Sequence, residues 1–175
     1  FVIIWGRLGA SASCRALRGG RLALPEHGAQ ESASSPQPRK EHGMYKPKPY
    51  EELSFTDDFM FCKIMESNPD ICKEVLELIL EIEIDEIIEV QSQYQISVNS
   101  DLHGIRLDVR VRDRTGRIFN IEMQTTDKKD IPHRCRFYQG SIDVSQLRPG
   151  MNYTDLADTY IIFICLFDPI GKGLA

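Results

Sequence analysis

The chain has 175 residues, 42% hydrophobic and 27% charged, with a net charge of −5, which is enough for one soluble domain with a substantial core. No apolar run approaches the roughly 18 residues of a membrane span, so no membrane is expected. The five cysteines, Cys14, Cys62, Cys72, Cys135 and Cys165, are odd in number and lack CxxC or Cys/His spacing, which implies neither a disulfide framework nor a zinc site and makes a reducing cytoplasm the expected compartment.

Residues 1–43 are rich in Gly, Ala, Ser and Arg and end in SASSPQPRKEHG. Such composition does not offset the entropy of ordering, so a disordered or non-native extension is expected there. A transit peptide shares that composition, but amphipathic periodicity is lacking, and Met44 is read as the native start. The folded unit is thus expected over 44–175. Charge is uneven within it: residues 70–89 hold eight acidic groups and only Lys73 as a base, whereas 105–136 hold nine basic groups against five acidic ones.

Thr56 followed by Asp57 and Asp58 reads as a helix start, with Phe55 stapled to Met60 and with Phe59, Cys62 and Met65 facing inward. Asn68-Pro69-Asp70 starts a second helix, with Val75, Leu76, Ile79 and Leu80 at core spacing. Residues 87–98, IIEVQSQYQISV, read as a strand. A third helix begins at Asp130 and Pro132 and ends before Arg148-Pro149-Gly150. It carries Arg134 and Tyr138 at i and i+4, on one face. Tyr160 to Phe167, YIIFICLF, reads as a strand buried on both sides.

Between these elements, LDVRVRDRTGRIFNIEMQ at Leu107 to Gln124 is two alternating runs around Arg114-Thr115-Gly116, a three-residue hairpin loop with Gly116 left-handed. Centring the register on Thr115 pairs Leu107 with Met123, Val109 with Ile121 and Val111 with Phe119 on an apolar face, and closes the tip with Asp113 and Arg117. The other face then sets Asp108 across from Glu122, with Gln124 two residues on. Like charges so placed repel. A hard divalent cation removes the repulsion, and two carboxylates are the minimum oxygen set that Mg²⁺ takes from a protein. The plain alternative is the wet face of an amphipathic hairpin.

DDFMFCKIM at Asp57 to Met65, RLDV at Arg106 to Val109, IEMQ at Ile121 to Gln124 and RCRFYQG at Arg134 to Gly140 together resemble the PD-(D/E)XK nuclease family transposases, the recombination-promoting nucleases, over Met44 to the end of the chain. That resemblance implies an α/β fold, the restriction-endonuclease-like αβββαβ core with a mixed central sheet flanked by helices, incomplete at the C-terminus. It implies a metal-dependent endodeoxyribonuclease in which Asp108 and Glu122 hold Mg²⁺ or Mn²⁺, the Met123 carbonyl adds an oxygen, and Gln124 stands where Lys is most common. Asp58 matches an acidic residue of the first helix that faces the metal, and Lys63 a basic one. DNA is the implied partner, with Arg106, Arg110, Arg112, Lys128, Arg134 and Tyr138 as nucleic-acid contacts; a homodimer stays open. The competing readings are a catalytically inactive relic or nucleic-acid-binding module that keeps the fold, and a protein-interaction domain using the acidic face of residues 70–89.

Overall fold

The computed structural model describes residues 2–8, 11–17, 49–97 and 104–169. Strands β1 (Val2–Leu8), β2 (Ser11–Leu17), β3 (Ile87–Ile96), β4 (Ile105–Asp113), β5 (Ile118–Gln124) and β6 (Thr159–Cys165) form one sheet in the order β2-β1-β6-β5-β4-β3. Only β5 and β6 run parallel. A parallel pair needs a crossover, and helix α3 (Ile131–Gln146) supplies it. Helices α1 (Asp58–Ser67) and α2 (Pro69–Leu80) precede the sheet. From α2 onward the order is the expected αβββαβ, with α1 added before it.

The sheet has a core on each side. Val109, Val111, Phe119, Ile121, Met123 and Ile162 pack with Phe61, Cys62, Met65, Leu76 and Leu80 of α1 and α2. On the other side Ile118, Ile161 and Phe163 pack with Ile131, Cys135, Tyr138 and Ile142 of α3. All of β5 is buried and nearly all of β6, the latter as its apolar run requires. Among the described residues, no helix is long and apolar enough to cross a membrane.

Val2 to Gly6 pair antiparallel with Tyr160 to Ile164, covering the open edge of β6 with a β-prone VIIW segment. The rest of 1–43 lies outside the described residues. Two expectations are corrected. Phe59 does not face inward but is 63% exposed; Phe61 is buried in its place and meets Phe55 edge-on, with ring centroids 5.6 Å apart. Apolar residues at 59–62, 64 and 65 leave helical periodicity unable to choose the face, and contact with the sheet chooses it. Finally, Thr56 does not cap α1. Asp57 occupies the cap position without a side-chain cap, its carboxylate turning back to accept from Ser54 N at 2.8 Å.

The hairpin register agrees with the Thr115-centred reading, with Val109 opposite Ile121 and Val111 opposite Phe119. Gly116 sits at φ 90°. Asp113 is fully buried at the tip, where its Oδ2 accepts from Arg117 Nε at 2.6 Å. One feature of the apolar face differs. Leu107 packs on the α3 side with Ile105 and Tyr94, not with Val109. The break coincides with Asp108, which the β3–β4 ladder passes over together with Gln93, whose φ is 49°. Such an interruption re-aims the side chains beside it.

Candidate active site

Asp108 lies on β4 where its regular pairing stops, since backbone pairing with β5 begins one residue later at Val109–Ile121. Side chains replace the missing ladder. Asp108 N donates to Glu122 Oε1 at 3.0 Å, and Met123 N donates to Asp108 Oδ2 at 3.1 Å. Each carboxylate is thereby fixed by the opposite strand's backbone. From α1, Cys62 Sγ donates to the Asp108 carbonyl at 3.3 Å and pins the same point from the other side of the sheet.

Glu122 is 2% exposed, because α3, crossing between the parallel strands, covers this face. It is not the wet face of a hairpin. Burial, followed by the neighbouring charge of Asp108, pushes the Glu122 carboxyl up to about 8. The Asp108 carboxyl is also raised, by burial first, with the charge of Asp58 adding and the Met123 amide opposing. Asp58, exposed in the first turn of α1, is therefore near enough for its field to reach Asp108. Lys63 is exposed on the same helix.

Arg134 joins the carboxylates from α3. Its guanidinium donates to Glu122 Oε2 at 3.0 Å, to Gln124 Oε1 at 2.5 Å and to Tyr138 Oη at 2.9 Å. It lies over the Phe163 ring at 4.8 Å, a stacked, planar, multiply donating arrangement suited to Arg rather than Lys. Gln124 is buried, and its amide nitrogen donates to Thr126 O at 2.6 Å. Both ends of that amide are engaged, so Gln124 orients Arg134.

The remaining candidate cations divide. Arg110 and Arg112 are held by Glu89 of β3, at 3.3 and 3.0 Å, and Arg110 also lies over Tyr94. Arg106 and Lys128 are exposed. Arg106 and Arg134 both hold down the Asp108 carboxyl against burial. Among the described residues there is no group of three or more His, Cys, Asp or Glu side chains placed to hold a metal, so any ion here relies on the two carboxylates and on non-carboxylate oxygens.

Asn120 is a site residue that sequence reasoning missed. Wholly buried, it donates from Nδ2 to Glu122 Oε1 at 3.0 Å, while its own Oδ1 lies buried with no protein partner. Its signal was available, since residues two apart on a strand share a face. Phe163, the ring beneath Arg134, carried no such signal, because only the β5–β6 register brings it alongside Glu122.

A family model described as PD-(D/E)XK nuclease family transposase matches residues 55–171. Neither the curated proteins nor the solved structures yielded a match. The matched segment runs from the start of α1 past β6 and contains both carboxylates, Gln124, Arg134 and Tyr138, and the chain belongs to the PD-(D/E)XK nuclease family transposases.

Proposed function

We propose that residues 44–175 are a divalent-metal-dependent DNA endonuclease domain of a transposase-like, recombination-promoting protein, hydrolysing phosphodiester bonds with Mg²⁺ or Mn²⁺. The observation that carries this reading is the convergence of Asp108 and Glu122 from adjacent strands beside Arg134. The donor set fits such an ion. Two desolvated carboxyls with raised proton affinity resist ionising side by side, and a cation favours their ionised form in place of a proton, while Mg²⁺ needs only one or two carboxylates and keeps other positions for water and phosphate. Asp108 and Glu122 would hold it, with the Met123 carbonyl as a further oxygen. When bound, the ion lowers the pKa of water and neutralises charge building on the phosphate.

The chain's own residues do the rest. Arg134, oriented by Tyr138 and Phe163, offers charged donors to a phosphate oxygen. Gln124 holds that guanidinium in place and Asn120 holds Glu122. Arg106 and Lys128, exposed near the carboxylates and on the loop before α3, draw in the DNA backbone and make binding salt-dependent.

A second reading has its own support. Glu122 is already paired with Arg134, and among the described residues no group of three or more His, Cys, Asp or Glu side chains is placed to hold a metal, which favours an inactive nucleic-acid-binding module on the same fold. Nicking of supercoiled plasmid with Mg²⁺ or Mn²⁺ separates the two. The nuclease reading expects activity in the parent and its loss in both Asp108→Ala and Glu122→Ala; variants that nick as well as the parent end it.

A further inference from the structure

Beside the carboxylates, a groove of about 850 Å³ lies between α3 and the start of β4, lined on one wall by Gly104 to Arg106 and on the other by α3. Three observations describe what it takes. First, its charged lining is mostly cationic: Arg106, Arg134 and Arg136, with His133 alongside and Asp130 the acidic residue. Second, that lining is interrupted by exposed apolar groups, Phe137 at 46% and Val144 at 57%. With His133 and Gly140 these fall at i, i+4, i+7 and i+11, along one face of the helix. Third, Gly140 has no packing reason to be glycine. A Cβ built there meets nothing within 4 Å, although glycine weakens a helix interior relative to other residues. Its missing side chain leaves the groove open between Phe137 and Val144.

A duplex offers a protein surface its phosphates and base edges, with its base faces stacked inside. An aromatic ring set among cations matches a strand whose bases are unpaired, because any base stacks on it while the backbone follows the positive charge. Arg134 and Tyr138 belong both to the groove and to the carboxylate cluster, so the path leads to the site.

We propose that this groove receives an unpaired DNA strand, one base stacking on Phe137 and the backbone running past Arg106 and Arg136 to Arg134, so that the substrate class is single-stranded DNA or duplex with an unpaired flank. The inference rests on the nuclease reading above and adds the form of DNA to it. The test is fluorescence anisotropy of the full chain in EDTA, with a labelled single strand and the duplex of the same sequence. The single strand binds more tightly. Phe137→Ala weakens its binding roughly tenfold, the effect of losing one stacked base, and Phe137→Trp retains it. Gly140→Leu fills the groove and weakens strand binding without lowering the melting temperature, which a merely structural role for that position does not produce. Duplex bound as tightly as single strand, or Phe137→Ala and Gly140→Leu binding like the parent, overturns the proposal. If those variants bind like the parent while plasmid nicking still depends on Asp108 and Glu122, the groove inference alone has failed; if neither DNA form binds and nothing is nicked, the nuclease reading fails with it.

Discussion

Asp108 and Glu122 stand opposite each other on adjacent strands without a backbone pair between them. The Glu122 carboxylate takes the Asp108 amide, and the Asp108 carboxylate takes the Met123 amide. The sheet thus gives up regular pairing at one rung and uses two acids to satisfy the backbone groups left over, which fixes both carboxylates without flexible supports.

The Arg134–Glu122 pair has a large structural role in the metal-free protein. Arg134→Ala leaves Glu122 buried without its cation, and equilibrium urea unfolding in EDTA above pH about 8, where the Glu122 carboxyl is ionised, should register a loss of about 3 kcal/mol, the lower end for a broken buried pair, since Arg134 is partly exposed. Tyr138→Phe removes only a hydroxyl that accepts from the guanidinium and should cost about 1 kcal/mol. Equal, negligible effects contradict the arrangement described.

Stability in EDTA should fall with rising pH across the range set by Glu122. Its folded-state carboxyl is raised from an ordinary 4.5 to about 8, so the folded chain binds the proton more tightly than the unfolded chain does. The contribution is fully present below 4.5 and is lost as pH climbs through about 8. Mn²⁺ competes with that proton, so added ion should stabilise more at the alkaline end. Melting temperatures from pH 5 to 9 with and without Mn²⁺ check both signs; a rise with pH in EDTA is the contrary result.

Asn120→Asp exchanges the donor facing Glu122 Oε1 for a third acid in a buried place. In EDTA this should destabilise by about 2 kcal/mol, the cost of a lost buried hydrogen bond with an unsatisfied partner. Mn²⁺ should then restore more stability to the variant than to the parent, and thermal melts with and without the ion give the comparison.

At the hairpin tip, buried Asp113 accepts from Arg117 Nε at 2.6 Å, Arg117 N at 2.9 Å and Thr115 Oγ1 at 2.8 Å. Asp113→Ala should cost about 3 kcal/mol, and Gly116→Ala, at φ 90°, about 1 kcal/mol. Urea unfolding of the two variants should preserve that order.

The hairpin was legible because alternation, a Gly-containing loop and opposite charges at its tip all selected one register. The shared face of Arg134 and Tyr138 followed from spacing, and the αβββαβ core from the family resemblance. What spacing did not convey came from packing. Phe59 and Phe61 are interchangeable in a helix apolar almost all round until the sheet selects one. Val2 to Trp5 read as the start of a Gly/Ser/Arg-rich tail, since their partner, β6, lies more than 150 residues away in the chain. Glu122 looked exposed on an alternating strand, because alternation reports two faces and not what covers them; α3 covers this one. Gln124 read only as standing where Lys is most common, whereas the fold brings a guanidinium to its side chain from the following helix.

Calorimetric titration of the full chain with Mn²⁺ near pH 8 tests the central claim most directly. The account predicts one ion bound by the parent and none by either Asp108→Ala or Glu122→Ala. A parent that binds no ion, or variants that bind it as the parent does, would contradict the assignment of these two carboxylates as the metal centre.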